Sequence, residues 1–496
     1  MADRRAGGRE GVVSVEVAVR RRDVPFLVAG RRTSGRSRLV PLARDAGSVP
    51  VAVPELDQAM VDRILGQDRA LLAGVPFQEI VEFLNRVGRQ WESREFIRRR
   101  LFVRQAVELL GYSEPMAETE ADWISVLLTG HGRMYDMVEV ELGSRFVLDE
   151  WVPREEAYVR AFPQGHSVHV LAGNVPLSGV TSIVRALLTK NVCTVKLSSR
   201  DPVTPVSLGL SFLDIDPEHP VSRALSVVHW DPGSDTAARI MQAADAVCVW
   251  GGPDAVRWAR DAARPDAAFL PFGHRRSLAL VDRDADLRQA AIGIAHDVAF
   301  YDQEACFSTL QAFVHTDALG LVDHLVDALA TYDGLYPPGI PAEDAGARRA
   351  LRRLEEEFLG SEVRTSPDGR WTVVTCAPGH VGEHPLGRTL FVHPVPDLRE
   401  ALPFVDRDVQ TVTVAPWRSS ERLRDGLALA GAARIVEPGL ANVFRPGSPH
   451  DAYYPLQRLT RIVANERPAA VHGKGMVVRM DQTEALRLGR ITDLVL

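Results

Sequence analysis

Between Ser167 and Ala263 the chain alternates short apolar runs with single helical segments: SVHVLA, GVTSIVRALLTK, VCTVKL, TPVSLGLSFL, LSVVHW, SDTAARIMQAA, AVCVW and DAVRWARDAA. No other feature of the sequence narrows the fold as much. Short, almost wholly apolar runs suit strands buried on both faces, and a helix between successive strands is the crossover that a parallel sheet requires. Right-handed crossovers then wind helices over an open sheet. A second alternation begins at RSLALV, passes through the helix DLRQAAIGIAHDVAF and reaches the strand LQAFVH at Leu310 to His315. The fold class is therefore α/β, and a length of 496 residues suits two or three domains.

Upstream, ALLAGVPFQEIVEFLNRVGRQW and FIRRRLFVRQAVELLGY carry apolar residues three and four apart with charges between them, the pattern of helices that cover a core. The first 50 residues are Arg-rich, and pieces such as VVSVEVAV read as a strand or two with exposed connections. The stretches GLYPPGIP at Gly334 and CAPGHVGEHPLG at Cys376 read as loops. A formal net charge of -7 gives nucleic acid no electrostatic footing as a partner. No apolar run approaches the roughly 20 residues of a bilayer span, and MADRRAGGRE lacks the apolar segment of a secretory signal, so a cytoplasmic protein is expected. Four cysteines without a closely spaced pair make neither a disulfide framework nor a zinc site, and no metal is expected.

Cys193, Cys248 and Cys376 lie within or end β-like apolar runs, where cysteine acts as a small buried hydrophobe. Cys306 differs, because FYDQEACFSTLQ places it among acids, amides and hydroxyls. At a turn that starts a helix, such a thiol would ionise near neutral pH. In HVLAGNVPLSGV a strand ends at a turn and a helix follows, which puts Asn174 at the carboxyl edge of a parallel sheet, where ligands collect. In VWGGPD, Gly251 and Gly252 close a strand before a helix, an arrangement that cradles a pyrophosphate even though the GxGxxG fingerprint is absent.

Taken in order, AGNVPL, RALLTKNVCTVKLSSRDP, VWGGPD, LPFGHRRSLALVDRDADL and YDQEACFSTLQAFV resemble the aldehyde dehydrogenase superfamily over roughly residues 160 to 315. The closer resemblance, which extends upstream through LGYSEPM and WVPREE, is to acyl-CoA reductases of the LuxC type, the fatty-acid reductase component of bacterial luminescence. It implies an aldehyde dehydrogenase-like fold, with a Rossmann-type nucleotide-binding domain and an α/β catalytic domain. The expected division is an N-terminal segment 1–53, a helical region and nucleotide-binding domain 54–272, a catalytic domain 273–445, and a return to the nucleotide-binding domain over 446–496. On the family's motifs Cys306 takes the place of the nucleophile, and Asn174 that of the amide which, with the Cys306 backbone N–H, forms the oxyanion hole. Lys196 matches the lysine that reaches the adenosine ribose, and Gly251 and Gly252 match the turn at the pyrophosphate.

Two departures sharpen the expectation. Where aldehyde-oxidising relatives carry the glutamate that activates water, LPFGHRRS has Pro271, and a proline is no base. Without a general base, hydrolysis of an acyl-enzyme is slowed by about 10²–10⁴, which favours a thioester reductase over an aldehyde oxidiser. In KLSSR, Ser199 stands where NAD-preferring relatives often place a glutamate, and Ser199 with Arg200 suits a 2′-phosphate, so NADPH is the expected donor. The expected activity is reduction of a fatty acyl thioester, delivered by CoA or an acyl carrier protein, to an aldehyde through a cysteinyl acyl-enzyme. Reductive release of a carrier-bound biosynthetic chain is an alternative within the class. A non-catalytic relative that binds nucleotide or a partner is one from outside it. The resemblance also implies a homo-oligomer and an acyl-activating partner protein. His274, Arg275 and Arg276 read as a solvated basic turn beside the cleft.

Overall fold

The computed structural model describes residues 22–33, 35–40, 51–154, 157–340, 345–379 and 383–466; VVSVEVAV and the segment after residue 466 lie outside the described residues. Two seven-stranded sheets organise the rest. The first contains β1 (Phe26–Val28), β2 (Arg31–Thr33), β3 (His166–Val170), β4 (Val192–Lys196), β5 (Leu225–Val228), β6 (Ala246–Trp250) and β7 (Ala268–Phe272), in the order β7-β6-β3-β4-β5-β1-β2. Strands β3 to β7 pair in parallel, as the alternation of apolar runs and helices requires. Every residue of β3, β5 and β6 is buried, which explains why these runs carry no polar alternation. The N-terminal piece FLV adds β1 antiparallel to β5 with all three residues buried, although three residues are too few for any periodicity to announce a strand.

The chain runs from β3 to β4 to β5 and then returns to the other side of β3 with β6. That reversal leaves the loops after β3 and β6 side by side at the carboxyl edge, the place where open α/β sheets bind ligands. The second sheet contains β8 (Arg276–Val281), β9 (Thr309–His315), β10 (Glu362–Thr365), β11 (Thr372–Thr375), β12 (Thr389–Val395), β13 (Val409–Ala415) and β14 (Arg434–Val436), ordered β10-β11-β12-β9-β8-β13-β14. All its pairs are parallel except β10 with β11. Separate apolar clusters cover its two faces, one around Ile294, Val314 and Leu325 and the other around Leu280, Val412 and Leu427.

Helices α1 (Phe77–Glu92), α2 (Glu114–Thr129) and α3 (His131–Leu142) pack beside the first sheet and share its large core with α4 (Pro176–Leu188). A three-stranded antiparallel sheet of Val152–Pro153, Ala157–Pro163 and Thr460–Glu466 pairs with neither, and its Ala161 joins the core of the first. No helix among the described residues is long and apolar enough to cross a membrane.

Candidate active site

A cleft of about 2010 Å³ is lined both by the carboxyl-edge loops of the first sheet and by residues at the amino ends of strands in the second. Asn174, Ser199, Arg200, Gly251, Gly252 and Cys306 all border it. Local sequence sets each loop. After β3 the chain turns through Gly173 and Asn174 into α4, where Pro176 occupies the first turn that tolerates it. Gly173 is obligatory at this turn, because a Cβ there would lie 2.5 Å from the Arg200 Cβ and 2.6 Å from the Asp201 nitrogen. The loop bearing Asn174 and the loop bearing Arg200 therefore touch backbone to backbone. Gly251 and Gly252 lead into the helix α5 (Pro253–Ala262), and a Cβ at Gly252 would meet no atom within 4 Å. The start of that helix is thus uncovered at Gly252, on the cleft wall.

Cys306 occupies a turn that ends at β9. No α-helix starts there, contrary to the sequence expectation of a helix N-terminus, because Phe307 and Ser308 lead directly into the strand. The thiol is not lowered either. Burial and the charge of Asp451 push it up to about 12, against the pull of Gln410 and of the backbone N–H groups of Cys306 and Phe307. The Gln410 amide nitrogen stands 3.1 Å from Sγ and 2.7 Å from the Asp451 Oδ1. Ser277, at the start of β8, donates to the Cys306 carbonyl at 2.9 Å and accepts from the Thr411 N–H at 3.1 Å. Of the other cysteines, Cys193 and Cys248 are buried within β4 and β6 with thiols pushed up by burial, while half-buried Cys376 follows β11 and lies 3.6 Å from the His393 Nδ1.

The segment before Cys306 holds an unusual backbone. Tyr301, Asp302 and Gln303 have φ of 60°, 51° and 65°, a left-handed run without a glycine, and each such residue costs of order 1 kcal/mol or more. Each has its own tether. The Tyr301 hydroxyl donates to Glu120 of α2, whose other oxygen accepts from the Leu177 N–H at 2.6 Å. Asp302 pairs with buried Arg388 at 2.7 Å and accepts from the Gly339 N–H at 2.9 Å. Gln303 donates to the Thr309 and Thr389 carbonyls and accepts from the Thr389 N–H, all within 2.8 Å.

From the first sheet, Asn174 Nδ2 donates to the Glu304 carbonyl at 2.8 Å, while the Tyr112 hydroxyl donates to the Asn174 carbonyl at 2.9 Å. Arg200 pairs with the Glu304 carboxylate at 2.8 Å. Asn174, Arg200 and the cysteine turn are thus brought together. Lys196 stands at the end of β4 beside Asp231 and Arg38, its ammonium lowered by burial and by Arg38 while Asp231 opposes the shift. Pro271 lies in β7, paired with Val249. The basic turn is less solvated than its composition suggests: Arg275 is 3.5 Å from the Asp451 Oδ2, and Arg276 pairs with Asp406 at 2.7 Å. Sequence reasoning missed Glu120, Arg388, Gln410 and Asp451. Each is an ordinary residue of its local segment, and its partner lies far along the chain. Part of the cleft lining is apolar, with Trp123, Leu127, Met134, Met137, Leu177 and Phe444.

The family model described as acyl-CoA reductase (LuxC) matches residues 72–462. The chain is 44% identical over 443 residues to the long-chain acyl-protein thioester reductase of Photobacterium phosphoreum, covering 88% of this chain and 90% of that one. Against the enzyme of the same name from Photorhabdus luminescens it is 43% identical over 465 residues, covering 91% and 96%. Among solved structures, aldehyde dehydrogenase 21 of Physcomitrella patens, in complex with the reaction product succinate, superposes with a TM-score of 0.70 at 14% identity, covering 91% of this chain and 99% of that one. An NADP-dependent enzyme of Escherichia coli superposes with a TM-score of 0.72 at 13% identity, covering 89% and 98%. The fold is that of the aldehyde dehydrogenases, as the order of the sequence motifs implied.

Proposed function

This chain belongs to the acyl-CoA reductase (LuxC) family of oxidoreductases, and from that premise we propose that it reduces a long-chain acyl thioester to an aldehyde through Cys306, with NADPH as donor. The observation that carries the reading is the meeting of Asn174 with the cysteine turn: its amide reaches the Glu304 carbonyl, two residues before the sulfur, across the cleft. Sγ, losing its proton, adds to the thioester carbonyl carbon, the bond to the carrier sulfur breaks, and the carrier leaves as a thiol once protonated. The Asn174 amide and the Cys306 backbone N–H are the donors for the oxyanion of that addition. NADPH, when bound, supplies a hydride to the acyl carbon. Sγ is then the leaving group as the thiohemiacetal oxyanion collapses to aldehyde.

The residues present suit a dinucleotide. Gly251 and Gly252 leave the start of α5 uncovered for the pyrophosphate, and Lys196 stands at the strand end for the ribose. Ser199 and Arg200 are the groups for a 2′-phosphate. The domain division is read as 54–272 for nucleotide binding, 273–445 for catalysis and a C-terminal return from 446, with the cleft between the first two. The apolar part of the lining suits an acyl chain, presented by CoA or a carrier protein. The edge strand Thr460–Glu466, with Ile462 56% exposed, supports a homo-oligomer, and the reading extends to a cytoplasmic protein with an acyl-activating protein as a further partner.

The test is to mix purified protein with NADPH and a panel of acyl-CoAs, following absorbance while trapping aldehyde. Radiolabelled acyl-CoA without NADPH should leave label on Cys306 and none on Cys306→Ala. Equal labelling of the variant would overturn the reading.

A further inference from the structure

The thiol and the first step it must take are mismatched. Held well above its ordinary value by burial, the Cys306 thiol keeps its proton near neutral pH, so attack needs a partner that takes the proton as the bond to carbon forms. Strand β7 offers none, since Pro271 has no side-chain base. The question is which other group within reach of the sulfur does.

Three candidates border the cleft near the cysteine turn. Glu304 is partly exposed, and its carboxylate is paired with Arg200 at 2.8 Å. His450 is buried, stacked on Phe444 and edge-on to Trp250 and Phe272, and burial together with Arg185, Arg434 and Arg275 opposes any positive charge on its ring. Asp451 is different. Its side chain is 2% exposed, it lines the same cleft as Cys306, and it shares the Gln410 amide nitrogen with Sγ. The two contacts of 3.1 and 2.7 Å bound the separation of Sγ and Oδ1 to about 6 Å at most, a gap that one water bridges.

The chain also holds this carboxylate in place at a cost. Asp451 and Ala452 have φ of 50° and 66°, and the turn is closed by reciprocal backbone hydrogen bonds between His450 and Tyr453 at 2.8 and 2.9 Å. Two consecutive left-handed residues that are not glycine mark a conformation imposed by the surroundings. Charged and titratable groups face Asp451 from each neighbouring element: Arg275 from the turn before β8, Arg185 from α4, Cys306 from its turn, and adjacent His450. Burial outweighs the two arginines and raises its carboxyl, which makes it a better proton acceptor than an exposed aspartate.

We propose that Asp451 is the base that receives the Cys306 proton during acylation, with Gln410 holding sulfur and carboxylate in register. As Sγ bonds to the thioester carbon, the Sγ–H proton passes through one water to the Asp451 oxygen. The carbonyl π electrons move onto oxygen, and the carrier sulfur later departs with the electrons of its bond to carbon. When the aldehyde leaves, the proton on Asp451 is available to return to Sγ. This inference rests on the nucleophile reading above and adds a residue that motif matching did not suggest.

The test is the rate of label transfer from acyl-CoA to the protein as a function of pH, in the full chain and in Asp451→Asn. Asparagine has the same shape and tolerates left-handed φ, so the turn survives. The opposing predictions differ in sign. A merely neighbouring charge raises the thiol, so its loss should speed acylation. A base should slow it by about 10²–10⁴ and replace a plateau in the pH profile with a rate that climbs with hydroxide throughout. Asp451→Glu should recover part of the rate. A thermal midpoint and near-UV circular dichroism matching the wild type show that the variant's pocket is intact; if they do not match, Gln410→Ala is measured instead, with the same slowing expected. Wild-type label on Cys306 with undiminished acylation of Asp451→Asn overturns this inference alone. Absence of wild-type label on Cys306 overturns the nucleophile reading and this one with it.

Discussion

Replacing Glu120 by glutamine isolates the carboxylate that ties the cysteine turn to the first sheet. Its side chain is fully buried, and burial, aided by the charge of Asp201, lifts its carboxyl from 4.5 to about 7 against the hydrogen bonds from Tyr301 and Leu177. A carboxyl raised by folding stays protonated in the native state while the unfolded chain ionises. Native stability is therefore whole below about pH 4.5, falls as pH rises, and has lost the full contribution above about pH 7. At 1.36 kcal/mol per unit the loss amounts to about 3 kcal/mol. Glutamine keeps an acceptor for the Leu177 N–H and a partner for the Tyr301 hydroxyl but does not titrate. Thermal unfolding of both proteins, followed by circular dichroism from pH 4.5 to 8, should show the wild type losing ground to Glu120→Gln across that window. Asp297, also lifted to about 7 by burial, is present in both proteins and cancels in the difference. A difference that stays flat with pH, or that favours the wild type increasingly at high pH as an ion-paired carboxylate would, refutes the reasoning.

Asn174→Ala should lower turnover by roughly 10²–10³, the usual effect of one lost oxyanion donor, with NADPH affinity nearly unchanged. A loss confined to nucleotide affinity would misplace that residue. Aldehyde should be oxidised only when CoA or another thiol accepts the acyl group, and brisk formation of free acid with NAD and no thiol would contradict the reading of Pro271. Arg200→Ala should weaken NADPH relative to NADH by about 1.5–3 kcal/mol in direct binding measurements. Arg388→Met removes the buried guanidinium that joins Asp302, Asp333 and the Tyr336 carbonyl and should destabilise the protein by about 1.5–3 kcal/mol in denaturant unfolding.

The sheet strands were legible because burial on both faces leaves a run such as AVCVW without polar interruption. The loops after β3 and β6 were legible for the same reason, since a strand that stops at Gly-Asn or Gly-Gly before a helix marks a sheet edge. The left-handed run Tyr301 to Gln303 was not, because its conformation is enforced by Glu120, Arg388 and Thr389 and not by residues that prefer it. Gln410 was equally silent. In VQTVTVA it passes for one polar position of an alternating strand, and only the register of β13 against β8 brings it to Cys306, 104 residues away. The helix expected at Cys306 is absent because only Phe307 and Ser308 separate the cysteine from Thr309, where β9 already begins.

The cysteine turn is fastened to both walls of the cleft within a few residues: to the first sheet and its helices through Glu120, Asn174 and Arg200, and to the second sheet and its loops through Arg388, Thr389 and Gln410. Mechanically it is a rivet. Any breathing of the cleft has to pivot there, so its mouth widens with distance from the sulfur while the spacing at the sulfur stays constant. Backbone amides of residues 301–305 should then rank among the slowest in the cleft to exchange with deuterium, and a bulky thioester gains entry without the catalytic spacing being reset at each turnover.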